Sequence, residues 1–170
     1  KAWVELIKES GAQYTVLTTK HHDGVALWDT KQNGISVVKN TPAKRDLVTP
    51  FVNEVRKAGL RLGLYYSLPD WSHPDYPNMT RTDVRYKDDP KRWDNFCKFN
   101  FGQLAELNNT YKPDLYWFDG DWEMSAETWR AKEIMQLLRS NNKNVIVNSR
   151  ITGYGDYATP EQGVPVVRPE

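Results

Sequence analysis

Short runs rich in β-branched and aromatic residues alternate with stretches of helical periodicity along this chain, and that alternation limits the fold more than any other feature. The β-type runs cover residues 14–19, 61–67, 114–119, 144–150 and 164–167. Between most of them lie helical patterns: one ending at Gly11, one over 47–58, one from about 90 to 108, and one from about 126 to 140. Asp46 stands where an N-cap belongs and Gly59 where a helix stops, while Pro90 suits a first helical turn. Trp93, Phe96, Asn100, Leu104 and Leu107 mark one stripe of the long third helix. Strands separated by helices predict an α/β fold with a parallel sheet covered by helices. Two architectures satisfy that pattern. An open doubly wound sheet fits 170 residues, whereas a (β/α)8 barrel needs about 250, so this chain holds only part of one. Length favours the open sheet; the chemistry at the strand ends has to decide.

Composition removes several function classes. Lys and Arg number 23 against 22 Asp and Glu, with no basic cluster, so nucleic acid is not the expected partner. No stretch approaches the roughly 20 apolar residues of a membrane span, and no Gly-x-Gly-x-x-Gly or Walker-type loop points to a nucleotide. Residues 1–6 read as the middle of an amphipathic helix rather than a signal peptide. There is no internal repeat, and residues 1–170 read as one domain with no second domain. The lone Cys97 falls in a helix and is expected to be buried and inert. Asn-x-Thr sequons at Asn78 and Asn108 are slight support for secretion. Aromatic residues make up 12% of the chain, which suits either a large core or a site where rings stack on sugars.

Functional groups of parallel α/β proteins gather at the carboxyl ends of strands. The first strand here runs into Lys20-His21-His22-Asp23-Gly24, and the second ends in Tyr65-Tyr66-Ser67 and leads to Asp70-Trp71. The third ends in Trp117-Phe118-Asp119-Gly120-Asp121-Trp122, and the fourth in Asn148-Ser149-Arg150. Four successive ends carrying groups that bind or react are hard to ascribe to packing. The paired histidines are metal ligands, donors to sugar hydroxyls or structural groups; no His-x-His or His-x-x-x-His spacing supplies a metal partner. Asp119 is either a helix cap or a placed acid or nucleophile, and Ser125 is the better cap for the helix that follows. Asp121 and Glu123 read as substrate contacts or supporting charges. A cation at Arg150 would keep a nearby carboxylate ionised. Glu161 could supply the second carboxyl that retaining glycoside hydrolysis places about 5 Å from the nucleophile.

His21-His22-Asp23-Gly24 with Leu27-Trp28, then Gly63-Leu64-Tyr65-Tyr66-Ser67, Trp117-Phe118-Asp119-Gly120 and Asn148-Ser149-Arg150 together resemble glycoside hydrolase family 29, the α-L-fucosidases, in order and spacing. The resemblance covers essentially the whole chain. It implies part of a (β/α)8 (TIM-like) barrel, with about five strands present and the barrel incomplete in this chain. It implies a retaining double displacement with Asp119 as nucleophile. His21, His22, Trp28, Tyr65, Trp117 and Arg150 would then contact the fucose, and an aromatic wall would receive its C6 methyl. Glu161 matches the acid/base of some members; in others that residue falls further on, beyond Glu170. The implied partner is a fucosylated oligosaccharide or glycoconjugate, with no metal or organic cofactor. Substrate class places such an enzyme in a secreted, periplasmic or lysosomal setting. Two rival functions remain at this level: a metal-dependent hydrolase built on His21 and His22, and a non-catalytic carbohydrate-binding protein.

Overall fold

In a computed structural model, which describes residues 1–161, the elements alternate as the sequence predicts. Helix α1 (Ala2–Glu9) leads to strand β1 (Tyr14–Lys20), the short α2 (Val37–Asn40), α3 (Val48–Lys57) and β2 (Arg61–Ser67). The long α4 (Pro90–Tyr111) precedes β3 (Leu115–Asp119), a 3-10 turn at Asp121–Glu123, α5 (Ala126–Trp129), α6 (Ala131–Asn141) and β4 (Ile146–Val147). The predicted run at 164–167 lies outside the described residues.

The sheet order is β1-β2-β3-β4, with every neighbouring pair parallel. A doubly wound sheet grows outward from its centre in both directions, so its strand order must reverse once. Here each new strand docks on the same edge as the last, which is how a (β/α) barrel is built. The architecture is therefore an unclosed arc of such a barrel, with four strands among the described residues.

Register assigns the two faces. Gly63, Tyr65 and Ser67 pair with Leu115, Trp117 and Asp119, so these six share one face. Leu62, Leu64, Tyr66, Tyr116 and Phe118 occupy the other and are fully buried under the helices. Against them pack Val48, Val52 and Val55 of α3, Phe96, Leu104 and Leu107 of α4, and Ile134 and Leu138 of α6. In β1 the register slips between Thr18 and Lys20. Thr18 pairs with Tyr65 on the open face, but Lys20 pairs with Tyr66 on the helix face. Because side chains alternate with period two, one extra residue inverts everything after it. Lys20 is thereby sent into the core and His21 to the open face.

Several element boundaries differ from the sequence reading, each for a local reason. Asp46 does cap α3, its Oδ1 accepting the amide protons of Val48 at 2.7 Å and Thr49 at 2.9 Å. Helix α4 runs three residues past the expected 108 and stops where Lys112 turns left-handed (φ 46°) before Pro113. The single helix expected over 126–140 is two, broken at Arg130 (φ 55°), whose guanidinium donates to Asp94 Oδ1 at 2.8 Å. The break lets Trp129 bury itself with its indole N–H donated to the Asp121 carbonyl at 2.8 Å. Strand β4 is shorter than the expected 144–150. Beyond it, the Asn148 side chain replaces the main-chain ladder, accepting from Phe118 N at 2.8 Å and donating to Phe118 O at 2.9 Å.

Cys97 is buried as expected, and burial pushes its thiol up to about 11. The sequons fare differently. Asn108 is 1% exposed and donates its amide to Leu137 O at 3.0 Å, while Asn78 donates to Glu123 Oε2 at 2.9 Å. Asn108 is thus closed to a glycan in the folded chain, whereas Asn78 is half-buried. No described helix is long and apolar enough to cross a membrane.

Candidate active site

The carboxyl ends of the four strands converge on Asp119. Its Oδ2 accepts a hydrogen bond from the Tyr65 hydroxyl at 2.7 Å, and its Oδ1 accepts from Arg150 Nη1 at 2.6 Å. His22 Nε2 stands 3.7 Å from Oδ2. Each carboxylate oxygen has two lone pairs, so one donor apiece leaves the group able to accept or attack. The side chain is 14% exposed, enough to meet a ligand from the open edge.

Each of these groups is fixed from behind. His22 Nδ1 is hydrogen-bonded to Ser67 Oγ, and its ring lies 5.1 Å from that of Trp71 and edge-on to Trp122 at 6.4 Å. His21 stacks on Tyr65, with centroids 5.9 Å apart and planes 8° from parallel. Thr159 holds Arg150, its Oγ1 accepting from Nε at 3.0 Å. Gly120 lets the chain turn directly after the carboxylate. Its φ is +80°, and a Cβ there would sit 2.4 Å from Pro69 Cδ and 3.0 Å from His22 Cε1. A side chain at 120 would thus push on both the turn after β2 and the imidazole.

Electrostatics follow from this packing. Burial pushes the Asp119 carboxyl up, but the Tyr65 hydroxyl and the Arg150 guanidinium together outweigh it and hold the group below the usual carboxylate range. Burial, with His21 beside it, lowers His22 despite the attraction of Asp119, so the imidazole is neutral at neutral pH. Burial and the Asp119 carboxylate raise Tyr65, which stays a hydrogen-bond donor. A neutral His22 and an ionised Asp119 make a polar contact rather than an ion pair.

Among the residues singled out from sequence, His21, His22, Tyr65, Asp119 and Arg150 come together. Trp117 shares their face of the sheet and packs edge-on to Tyr157 at 6.2 Å. Trp28 does not join them. It is 3% exposed, and its indole N–H is donated to Glu106 Oε2 on α4 at 2.9 Å, so it packs the first strand's loop onto the helix layer. Glu161 reaches the cluster through Arg150, whose Nη2 lies 2.9 Å from Glu161 Oε1, and its carboxylate is 63% exposed. Glu123 proves to be a bracket between loops, accepting from Tyr76 at 2.6 Å, Asn78 at 2.9 Å and Trp71 at 3.3 Å. Asp121 accepts the Thr152 amide at 2.9 Å. Ser67 and Thr159 were not singled out for a role; only Ser67 carried a signal, as a polar residue at a strand end.

His21, His22 and Asp119 have ligand-type atoms within 4.8 Å of one another. The donor set nevertheless suits a metal poorly. Arg150 already places a fixed positive charge on Asp119, and Tyr65 donates to its other oxygen. A divalent ion would have to compete with a guanidinium for the same carboxylate.

Residues 1–169 match the family model described as Alpha-L-fucosidase. The chain is 38% identical over 157 residues to the tissue alpha-L-fucosidase of Mus musculus, covering 87% of this chain and 32% of that protein. It is 35% identical to the solved alpha-L-fucosidase isoenzyme 1 of Paenibacillus thiaminolyticus, with a TM-score of 0.86 over 97% of this chain and 43% of that one. A glycoside hydrolase family 29 fucosidase from Bacteroides thetaiotaomicron, solved as a trapped covalent intermediate with 2-fluoro-fucosyl fluoride, is 33% identical with a TM-score of 0.77, over 93% of this chain and 37% of that one. The chain thus spans about a third of the length of the curated relatives it matches. A family match over nearly all residues, a barrel arc with the same course as the solved fucosidases, and strand ends that meet around one ionised carboxylate lead to one assignment: the chain belongs to the α-L-fucosidases of glycoside hydrolase family 29.

Proposed function

We propose that the protein carrying this chain hydrolyses terminal α-L-fucosides with retention, and that residues 1–170 form part of its catalytic barrel domain. Asp119 attacks the anomeric carbon, the aglycone oxygen leaves with a proton, and water then cleaves the fucosyl-enzyme ester. One observation carries the reading. A strand-end carboxylate is kept ionised by Tyr65 and Arg150 and flanked by a neutral His22, all on the open side of the sheet. Ionisation is what a nucleophile requires, and a helix cap would instead have aimed the carboxylate at backbone N–H groups.

In this reading His21, His22 and Arg150 bond the sugar hydroxyls, while Tyr65 and Trp117 supply ring surface. Glu161 is the candidate proton donor among the described residues. It shares Arg150 with the nucleophile, so sugar binding has to loosen that pair before a proton can be delivered. The ligand is a fucosylated oligosaccharide or glycoconjugate, and such substrates suit a secreted, periplasmic or lysosomal enzyme.

The test is to incubate the full protein with a 2-fluoro fucosyl fluoride and map the adduct by peptide mass spectrometry. Label on Asp119, absent from Asp119→Asn, is expected. Turnover of an aryl α-L-fucoside should fall at least ~10³-fold in that variant, equivalent to about 4 kcal/mol of lost transition-state stabilisation. Unlabelled protein that binds fucose would leave a lectin, and activity abolished by a chelator would revive the metal hydrolase.

A further inference from the structure

Directly beneath the histidine pair, the helix layer contains a buried ion pair that the reaction does not use. Lys20 is fully buried, and its Nζ lies 3.4 Å from Oδ2 of Asp70, itself 1% exposed. The same ammonium donates to the Tyr66 hydroxyl at 3.0 Å and stands 4.4 Å above that ring. Taking two charges out of water costs several kcal/mol per ion, and apolar residues of equal volume often serve stability as well or better. Such a pair is therefore better explained by what it holds in place than by what it adds to stability.

What it holds can be traced bond by bond. The other Asp70 oxygen, Oδ1, accepts from Ser72 Oγ at 2.7 Å, His73 N at 3.0 Å and Ser72 N at 3.1 Å, which folds residues 70–73 into a tight turn. That turn presents Trp71, whose amide donates to the His22 carbonyl at 2.8 Å and whose ring lies tilted against the His22 imidazole, 5.1 Å between centroids. Trp71 is tied in turn to Glu123, four residues past Asp119. From the other side, a Cβ on Gly24 would fall 2.1 Å from Asp70 Oδ1, so the His22 loop closes directly onto the carboxylate. The β1 bulge makes the circuit possible by turning Lys20 inward and leaving His21 and His22 at the site.

We infer that the Lys20–Asp70 pair is a positioning device: it locks the turn that carries Trp71 and so sets the His22 imidazole at the distance from Asp119 that sugar binding requires. Lys20 and Asp70 are positioning residues, and the inference rests on the fucosidase reading of the site. His22 would contact the sugar in ground state and transition state alike. Loosening it therefore raises KM and spares kcat.

The experiment compares Asp70→Asn, Lys20→Met and the double variant in the full protein. Asp70→Asn keeps an acceptor for the Ser72 and His73 donors but removes the charge facing Lys20, and the double variant leaves no buried charge unpaired. In each variant that folds, KM for an aryl α-L-fucoside and Ki for a fucose-like iminosugar should rise together by about tenfold, the loss of one hydrogen bond to the sugar. Labelling of Asp119 by the 2-fluoro inhibitor should still go to completion. A folded double variant with KM and Ki within about twofold of the parent protein would overturn the inference and reduce the pair to a packing feature. If single variants do not fold, the double variant decides. Failure of the parent protein to turn over any fucoside would instead count against the proposed function, so the two readings fail separately.

Discussion

Asp119 owes its ionisation to two donors that come from opposite neighbours of its own strand, Tyr65 from β2 and Arg150 from just beyond β4. This makes its protonation a sensitive reporter. The acid limb of kcat/KM should lie below the ordinary carboxylate range of about 4, because the folded group holds its charge to lower pH. Replacing Arg150 with Met removes the guanidinium while leaving burial in place, so the limb should move upward; Arg150→Lys should move it less. A pH–rate profile of the full protein on an aryl fucoside checks both shifts, and an unmoved limb in Arg150→Met would show that Arg150 does not govern the charge of Asp119. At this scale much was legible beforehand. Asp119, Tyr65 and Arg150 meet because each lies at the carboxyl end of a β-type run, where parallel sheets gather their polar groups. Trp28 was misjudged because it follows the histidine motif closely in sequence, yet its partner, Glu106, lies 78 positions away. Thr159 lay in a loop with no periodicity to mark it.

Helix punctuation shows how far local chemistry carries. Asp46 was recognisable as a cap, but its carboxylate also accepts from Tyr111 at 3.2 Å and from Thr49 Oγ1 at 2.8 Å, joining the start of α3 to the end of α4. Asp46→Ala should therefore destabilise by about 1–2 kcal/mol, at or above the ordinary value for a lost cap, read as a lower denaturant midpoint with an unchanged slope. An effect within experimental scatter would mean that water replaces the carboxylate at the helix end. Other element features were illegible. Nothing around Arg130 marks a left-handed residue, since its conformation is set by the burial of Trp129 and the bond to Asp94. The β1 bulge was equally hidden, because only pairing with β2 reveals an extra residue.

Across the whole molecule, two buried histidines couple folding to pH. Burial lowers both His22, with His21 adding to the effect, and His73, against which Asp70 and Asp75 pull the other way. Their folded values lie below the unfolded value of about 6.5, so the unfolded chain binds more protons between the two. The stabilisation is complete above pH 6.5 and is lost as pH falls toward the folded values. Denaturant midpoints of the full protein should accordingly drop between about pH 7 and pH 5. His73, whose Nδ1 accepts from Asp75 N at 3.1 Å and whose ring packs on Phe99, should account for part of that slope. His73→Phe should flatten the slope whatever its effect on absolute stability, and an unchanged slope would place the linkage elsewhere.

The alternation of periods two and 3.6 determined an α/β chain with parallel strands, and the polar residues closing those strands determined that one end would carry chemistry. Both are local properties, written in which residues must be buried and which cannot be. The tertiary structure decided on which edge each strand docks, hence a barrel arc rather than a doubly wound sheet. It also decided that one inserted residue sends Lys20 inward and His21 outward, and that Trp28 belongs to the helix layer. Those outcomes depend on pairing between residues dozens of positions apart. Periodicity states that a face is buried but not what it is buried against.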